Sequence, residues 1–117
     1  MATSAATVAA WVDLYRAAWL SNDPDDIRAA FAEDAEYRDG PNSEPWVGHA
    51  DIVERWLAQQ DAPGDTAFEW QPVALEADTA VIRCLTTYPG RVFDNLWVLR
   101  FADDGRAREF TDWYIER

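Results

Sequence analysis

Residues 22–52, NDPDDIRAAFAEDAEYRDGPNSEPWVGHADI, contain in close succession the signals for a helix, a strand, a turn and a second helix. Asp23 is a good N-cap and Pro24 suits the first helical position, so a helix is predicted to begin there. A short strand is predicted over residues 36–38, and the turn after it is rich in Gly, Pro, Asn and Ser. The next helix is predicted over about residues 49–60. The buried edge of the helix that begins at Pro24 is predicted to contain Ile27, Ala30 and Phe31.

Helical periodicity also precedes this stretch. Val8, Val12, Tyr15 and Trp19 recur at near-helical spacing, with Trp11 beside them. An apolar stripe of this kind predicts an amphipathic helix over residues 5–21 that packs against a core.

The period changes after residue 67. Four segments read as strands separated by short turns, namely FEWQPVALE (68–76), AVIRCLTTY (80–88), VFDNLWVLRF (92–101) and AREFTDWYIE (107–116). Short links of this kind favour an antiparallel meander. Helices followed by strands predict an α+β fold, with three N-terminal helices packed on one face of a curved, mostly antiparallel sheet.

Both faces of the predicted sheet are partly apolar. The helices can cover one face, whereas a solvated opposite face would alternate more cleanly between polar and apolar residues. We therefore expect a second copy of the chain to cover the other face, which predicts a homodimer. The outward-facing apolar set is Leu85, Leu96, Val98, Trp113 and Ile115.

The composition excludes several classes of function. The 117 residues carry a net charge of −12, from 22 acidic and 10 basic residues, and every base is Arg. A surface this acidic repels phosphates and anionic lipids. We therefore expect neither a nucleic acid nor a membrane as partner. One Cys, one His and no Lys leave no usual zinc site, Schiff base or P-loop. A site made only of carboxylates could still hold Mg²⁺ or Ca²⁺, but the spacing of an EF-hand is not present, and we expect no metal and no cofactor. The N-terminal residues do not resemble a signal peptide, which predicts a cytoplasmic protein.

Two segments carry a resemblance to a known family. The stretch quoted first and LRFADDGRAREFTDWY (99–114) are similar to the nuclear transport factor 2-like superfamily. That superfamily includes ketosteroid isomerases, scytalone dehydratase, limonene epoxide hydrolase and SnoaL-like polyketide cyclases. The resemblance covers nearly the whole chain. It implies a single cone-shaped domain over residues 1–117.

Ketosteroid isomerase gives a comparison residue by residue. Its oxyanion-donor tyrosine falls on Tyr15, and its general-base aspartate falls on Asp39, just before a similar turn. Its second, protonated aspartate falls on Trp97, whose indole N–H is a weaker donor. Asn95 shares a strand face with Trp97 and could donate instead. Efficient steroid isomerisation is therefore not expected, and the bulky ring favours a smaller or flatter ligand.

A proton-transfer site is the functional prediction. Asp39 is expected to be the general base, Tyr15 the donor to an oxyanion, and Asp112 a second acid that faces inward. Each residue also has a structural alternative. Asp39 could be a turn residue bonded to its own backbone, Tyr15 a core residue, and Asp112 a structural hydrogen-bonding partner.

Two hypotheses for the whole protein follow. The first is a cofactor-independent isomerase, lyase or cyclase that acts on a small hydrophobic carbonyl compound. The second is a non-catalytic module of the same fold that binds a hydrophobic ligand or a partner. Convergence of the carboxylates with Tyr15 on one cavity would favour the first. The residues expected to line that cavity and bind the ligand are Ile82, Thr86, Asn95, Trp97, Phe110 and Tyr114.

Overall fold

The helices and strands follow the predicted order. The computed structural model describes residues 3–60 and 66–117. In chain order its elements are α1 (Ala5–Ser21), α2 (Pro24–Ala30), β1 (Phe31–Arg38), β2 (Trp46–Val47), α3 (Gly48–Ala58), β3 (Ala67–Glu76), β4 (Thr79–Tyr88), β5 (Arg91–Phe101) and β6 (Ala107–Glu116). The α+β prediction is confirmed, with three helices and a mostly antiparallel sheet within the described residues.

The six strands form one open, mixed sheet in the order β2-β1-β6-β5-β4-β3. Strands β3 to β6 make the predicted antiparallel meander, and β2 pairs antiparallel with β1. Strand β1 pairs with β6 in parallel, which places β6 between β1 and β5. The register shifts at three places, in the β1–β6, β3–β4 and β5–β6 pairs. Such irregularities bend strands and increase their twist.

Local chemistry explains both ends of α1 and the start of α2. The side chain of Ser4 caps α1 by accepting a hydrogen bond from the Thr7 N–H, and Asn22 ends the helix with φ of 53°. Asp23 caps α2 in the predicted manner, with its carboxylate accepting from the Asp25 N–H, and Pro24 lies in the first turn. These interactions set the short link between the two helices.

The first strand differs from the prediction. It covers residues 31–38 and not only 36–38, and Phe31 begins this strand although it was predicted to lie on the buried edge of α2. Strand β2 was not predicted, and α3 ends at Ala58 although its helix was expected to reach residue 60. The longer β1 results from its pairing with β6, a distant contact that local periodicity does not report.

The core lies between α1 and the inner face of the sheet. Trp11 is completely buried, and its ring contacts those of Phe31, Trp97, Phe101 and Phe110 at centroid separations of 5.7 to 6.2 Å. Its indole N–H donates to the carbonyl oxygen of Ala30 across 2.7 Å, so the buried donor is satisfied. This packing fixes α1 over β5 and β6.

The outer face of the sheet remains partly apolar in the single chain. Ile115 is 73% exposed, Trp113 49% and Leu96 39%, while Leu85 and Val98 are half-buried. None of the described helices has the length and hydrophobicity needed to cross a membrane.

Candidate active site

A cavity of about 260 Å³ opens between α1, the end of β1 and the inner face of β4, β5 and β6. Its walls are mostly aromatic, with a few polar side chains among them. It is lined by Tyr15, Trp19, Tyr37, Asp39, Trp46, Gln59, Thr86, Tyr88, Phe93, Asn95, Trp97, Asp112 and Tyr114.

Strand alternation places a short hydrogen-bond chain on the floor of the cavity. Asn95, Trp97 and Asp112 lie on the inner face, where Trp97 is opposite Asp112 in the β5–β6 register. The Thr86 hydroxyl donates to Asn95 Oδ1 across 2.9 Å, and Asn95 Nδ2 donates to Asp112 Oδ1 across 3.0 Å. The first bond orients the Asn95 amide, and the second holds the carboxylate of Asp112 in place.

The carboxyl of Asp112 titrates near neutral pH. Burial, and to a smaller extent the negative charge of Asp39, raise its pKa from 3.8 to about 6, against the opposing effect of N–H groups on Asn95 and Trp97. A carboxyl with this pKa exists in both protonation states around neutrality. It is therefore suited to give or take a proton.

Two tyrosine hydroxyls meet in the wall of the cavity. Tyr15 Oη and Tyr37 Oη are 3.3 Å apart, and burial raises the pKa of both phenols well above the ordinary value of 10. Both hydroxyls therefore keep their protons near neutral pH. Since one hydroxyl donates to the other, the accepting hydroxyl keeps a proton that it can direct at a ligand. The Trp46 ring stacks on Tyr37 at 4.4 Å and supports this pair.

Asp39 follows the last residue of β1 and lines the cavity as a half-buried side chain. The turn after it contains a backbone bond from the Ser43 N–H to the Gly40 carbonyl, 3.2 Å long. Among the described residues, no hydrogen bond or ion pair involves the Asp39 carboxylate. It therefore does not make the side-chain bond to the turn that the structural alternative requires.

Trp97 presents a buried donor that has no acceptor. The residue is 2% exposed, and its Nε1 makes no hydrogen bond within the part of the chain that the structure describes. The N–H is close enough to Asp112 to lower the pKa of that carboxyl, but not in hydrogen-bonding geometry. The Asn95 amide already donates to Asp112, so Trp97 is the freer of the two donors considered from the sequence.

Comparison with known proteins decides the family. A family model of the SnoaL-like domain matches residues 9–110. The chain belongs to the SnoaL-like domain family. No curated protein matches its sequence.

Solved structures of low sequence identity share the fold of this SnoaL-like domain. An NTF-2 like protein of unknown function from Burkholderia xenovorans superposes with a TM-score of 0.71 and 16% identity, over 92% of this chain and 82% of that chain. A ketosteroid isomerase-like protein from Erwinia carotovora atroseptica superposes with a TM-score of 0.66 and 22% identity, over 94% of this chain and 95% of that chain. A steroid delta-isomerase from Pseudomonas aeruginosa superposes with a TM-score of 0.67 and 18% identity, over 98% of this chain and 84% of that chain. These similarities show that the chain shares the fold of these proteins.

The SnoaL-like domain brings most of the predicted site residues to one cavity. Tyr15, Asp39, Thr86, Asn95, Trp97, Asp112 and Tyr114 all line it. Ile82 and Phe110 do not, contrary to the prediction. They lie on the predicted face of the sheet but are completely buried in the core, where Phe110 packs against Trp11 and Tyr15.

Sequence reasoning missed several lining residues. Tyr37 could have been found, because alternation along β1 places it on the same side as Asp39. Trp46 and Phe93 had no comparable signal, since their positions depend on how the strand ends and turns fold over the cavity. Among residues 3–60 and 66–117, no group of three His, Cys, Asp or Glu side chains is placed to hold a metal ion.

Proposed function

We propose that this SnoaL-like domain is a cytoplasmic, cofactor-independent isomerase, lyase or cyclase that moves protons on a small hydrophobic carbonyl compound. The observation that carries the proposal is the convergence of Asp39, Asp112 and the Tyr15–Tyr37 pair on one largely aromatic cavity. Proton abstraction next to a carbonyl needs a base and a donor for the developing oxyanion, and both are available there.

Each polar residue takes a distinct role in this reaction. Asp39 removes a proton from the carbon beside the carbonyl, and the electrons of the broken C–H bond form an enolate. The free hydroxyl proton of the tyrosine pair and the Trp97 N–H stabilise the enolate oxygen. Asp112, when protonated, returns a proton to a second carbon or to a leaving group. Protonation of a second carbon completes an isomerisation, whereas protonation of a leaving group completes the elimination catalysed by a lyase.

The size of the cavity limits the substrate. Its volume of about 260 Å³ lies below the range of roughly 300–1,000 Å³ that is usual for drug-sized ligands. Trp97 occupies the floor, where it contacts Tyr15 at a ring separation of 4.6 Å. A compound of one or two rings, or a short chain, suits this space better than a steroid.

Exchange of hydrogen for deuterium tests the reaction without knowledge of the natural substrate. The protein in D₂O should accelerate loss of the α-protons of 1-tetralone, a compact cyclic ketone, as followed by NMR. Asp39→Asn should slow this exchange about a hundred- to ten-thousand-fold while leaving ketone affinity nearly unchanged. Asp13→Asn, an exposed substitution on α1 with the same loss of charge, serves as the matched control. Saturating ketone without accelerated exchange would overturn the enzymatic proposal.

One observation favours a non-catalytic alternative. Efficient catalysis requires that the base be held in a fixed geometry, and no hydrogen bond among the described residues fixes the Asp39 carboxylate. A domain that only binds a hydrophobic ligand does not need this restraint. Ligand binding without exchange in the experiment above is the expected result for such a module.

We also propose that the protein is a homodimer. The outer face of the sheet combines exposed Leu96, Trp113 and Ile115 with half-buried Leu85 and Val98. Several exposed apolar residues on one face of a sheet suit a self-complementary two-fold interface.

A further inference from the structure

A continuous series of aromatic rings borders the cavity. Tyr15 contacts Trp19 at a centroid separation of 6.2 Å, and Trp19 contacts Tyr88 at 6.4 Å. The series continues from Tyr88 to Phe93 at 5.8 Å and from Phe93 to Tyr114 at 6.0 Å. The face of an aromatic ring carries negative electrostatic potential and its edge positive potential, so a ring that turns its face to a cavity favours a positive charge inside it.

All charged groups in the lining are acidic. Asp39 and Asp112 are the two charged residues of the cavity, and no Arg or His belongs to its wall within the described chain. Most arginines bind carboxylates elsewhere, such as Arg91 with Glu116 and Arg117 with Asp94. Among the residues that the structure describes, the cavity therefore has no cationic side chain to balance its carboxylates.

Asp112 is the residue that most needs a counterion. Its half-buried carboxylate is partly shielded from water and held by the neutral Asn95 amide, with the like charge of Asp39 nearby. A buried carboxylate without a cationic partner is costly, and a bound cation would relieve that cost. The net charge of −12 also attracts cations to the molecule as a whole.

We infer that the cavity takes a small organic cation, a hydrophobic compound that carries a protonated amine or a quaternary ammonium group. The positive centre lies against the two carboxylates, and the apolar part lies against the aromatic rings. This inference rests on the proposed function in using the same cavity, and it adds a charged group to the expected hydrophobic carbonyl compound.

Two probes of the same shape test the inference. Phenyltrimethylammonium and tert-butylbenzene differ in charge but hardly in size, and binding is measured by calorimetry or by quenching of tryptophan fluorescence. We expect the cation to bind at least about tenfold more tightly than the hydrocarbon, because cation–aromatic and carboxylate attraction add to burial. Equal affinities, or tighter binding of the hydrocarbon, would overturn the inference.

Variants identify the origin of the selectivity. Asp39→Asn and Asp112→Asn should each weaken binding of the cation and leave binding of tert-butylbenzene unchanged. Asp13→Asn removes one negative charge outside the cavity and should change neither. Selectivity that is undiminished in the double variant Asp39→Asn, Asp112→Asn would contradict the assignment of the positive centre to these carboxylates.

The outcomes separate this inference from the proposed function. If both probes bind equally, the cavity is a ligand site but not a cation site, and only the inference fails. If neither probe binds, the inference fails, while exchange of the 1-tetralone protons still decides the proposed reaction.

Discussion

Trp97 and Asp112 lie directly opposite each other across the antiparallel strands β5 and β6. The indole occupies the floor of the cavity, and the carboxyl beside it has a pKa of about 6. The Trp97 N–H lowers this pKa, yet it makes no hydrogen bond to any residue that the structure describes. The strand pairing thus places an acid and an unused donor side by side.

Trp97→Phe should raise the pKa of Asp112 above about 6, because the variant loses the N–H that favours the ionised carboxyl. The ring is kept, so the core should lose little packing. Carboxyl NMR titration measures the shift. A pKa that stays constant or falls would show that the N–H has no such effect.

Asp112→Asn should stabilise the protein more at alkaline than at acidic pH. The pKa of Asp112 is raised by folding from 3.8 to about 6, so the folded state keeps the proton between these values while the unfolded chain has lost it. Stability therefore falls as pH rises through this window, and the full cost of the buried charge is present above it. The variant removes a cost of up to about 3 kcal/mol.

Urea denaturation at about pH 4 and about pH 8 measures this change in the free energy of unfolding. The stability of the variant relative to the parent should be greater at the higher pH. If the free energies of unfolding of variant and parent differ equally at both pH values, the pKa of Asp112 is not raised by folding. Asp13→Asn controls for the change in net charge.

Tyr15→Phe and Tyr37→Phe should distinguish the hydroxyl that donates to the substrate from the one that supports it. Loss of the direct donor should slow exchange of the 1-tetralone protons about a hundred- to a thousand-fold, while loss of the supporting hydroxyl should cost less. We expect the larger effect at Tyr15, the donor that was predicted from the sequence. Two equally small effects would leave Trp97 as the main donor.

Trp113→Glu should dissociate the proposed homodimer. Trp113 is 49% exposed on the outer face, and a carboxylate there would be buried without a partner in a two-fold interface. Sedimentation at micromolar concentration should show a dimer for the parent and a 13.3 kDa species for the variant. Asp13→Glu, at an exposed position of α1, should leave the dimer intact. A monomeric parent would refute the proposal.

The sequence predicted the elements whose signals are local. The capping of α2 by Asp23, the stripe that contains Tyr15 and the turns between β3, β4, β5 and β6 are encoded within a few residues. The first half of β1 was missed because it is defined by its parallel pairing with β6. Phe31 follows the α2 residues directly, so its apolar side chain suited either element.

Strand alternation predicted which face of the sheet these side chains occupy, but not which of them reach the cavity. A period of two correctly assigned Ile82 and Phe110 to the inner face, but it cannot distinguish the wall of a cavity from the core behind it. The role of Asn95 was likewise hidden, because its amide is committed to Asp112 by a contact between two strands. Such contacts depend on the register between strands, which cannot be deduced from neighbouring residues in the sequence.

The central position of β6 in the sheet has a consequence for folding of the chain during its synthesis. During synthesis the helices and β1 emerge long before β6, yet β1 needs β6 as its parallel neighbour and Asp112 comes from β6 itself. Contacts between distant parts of a chain slow folding and leave unpaired edges exposed meanwhile. The sheet and the cavity therefore cannot be completed until residues 107–116 have left the ribosome.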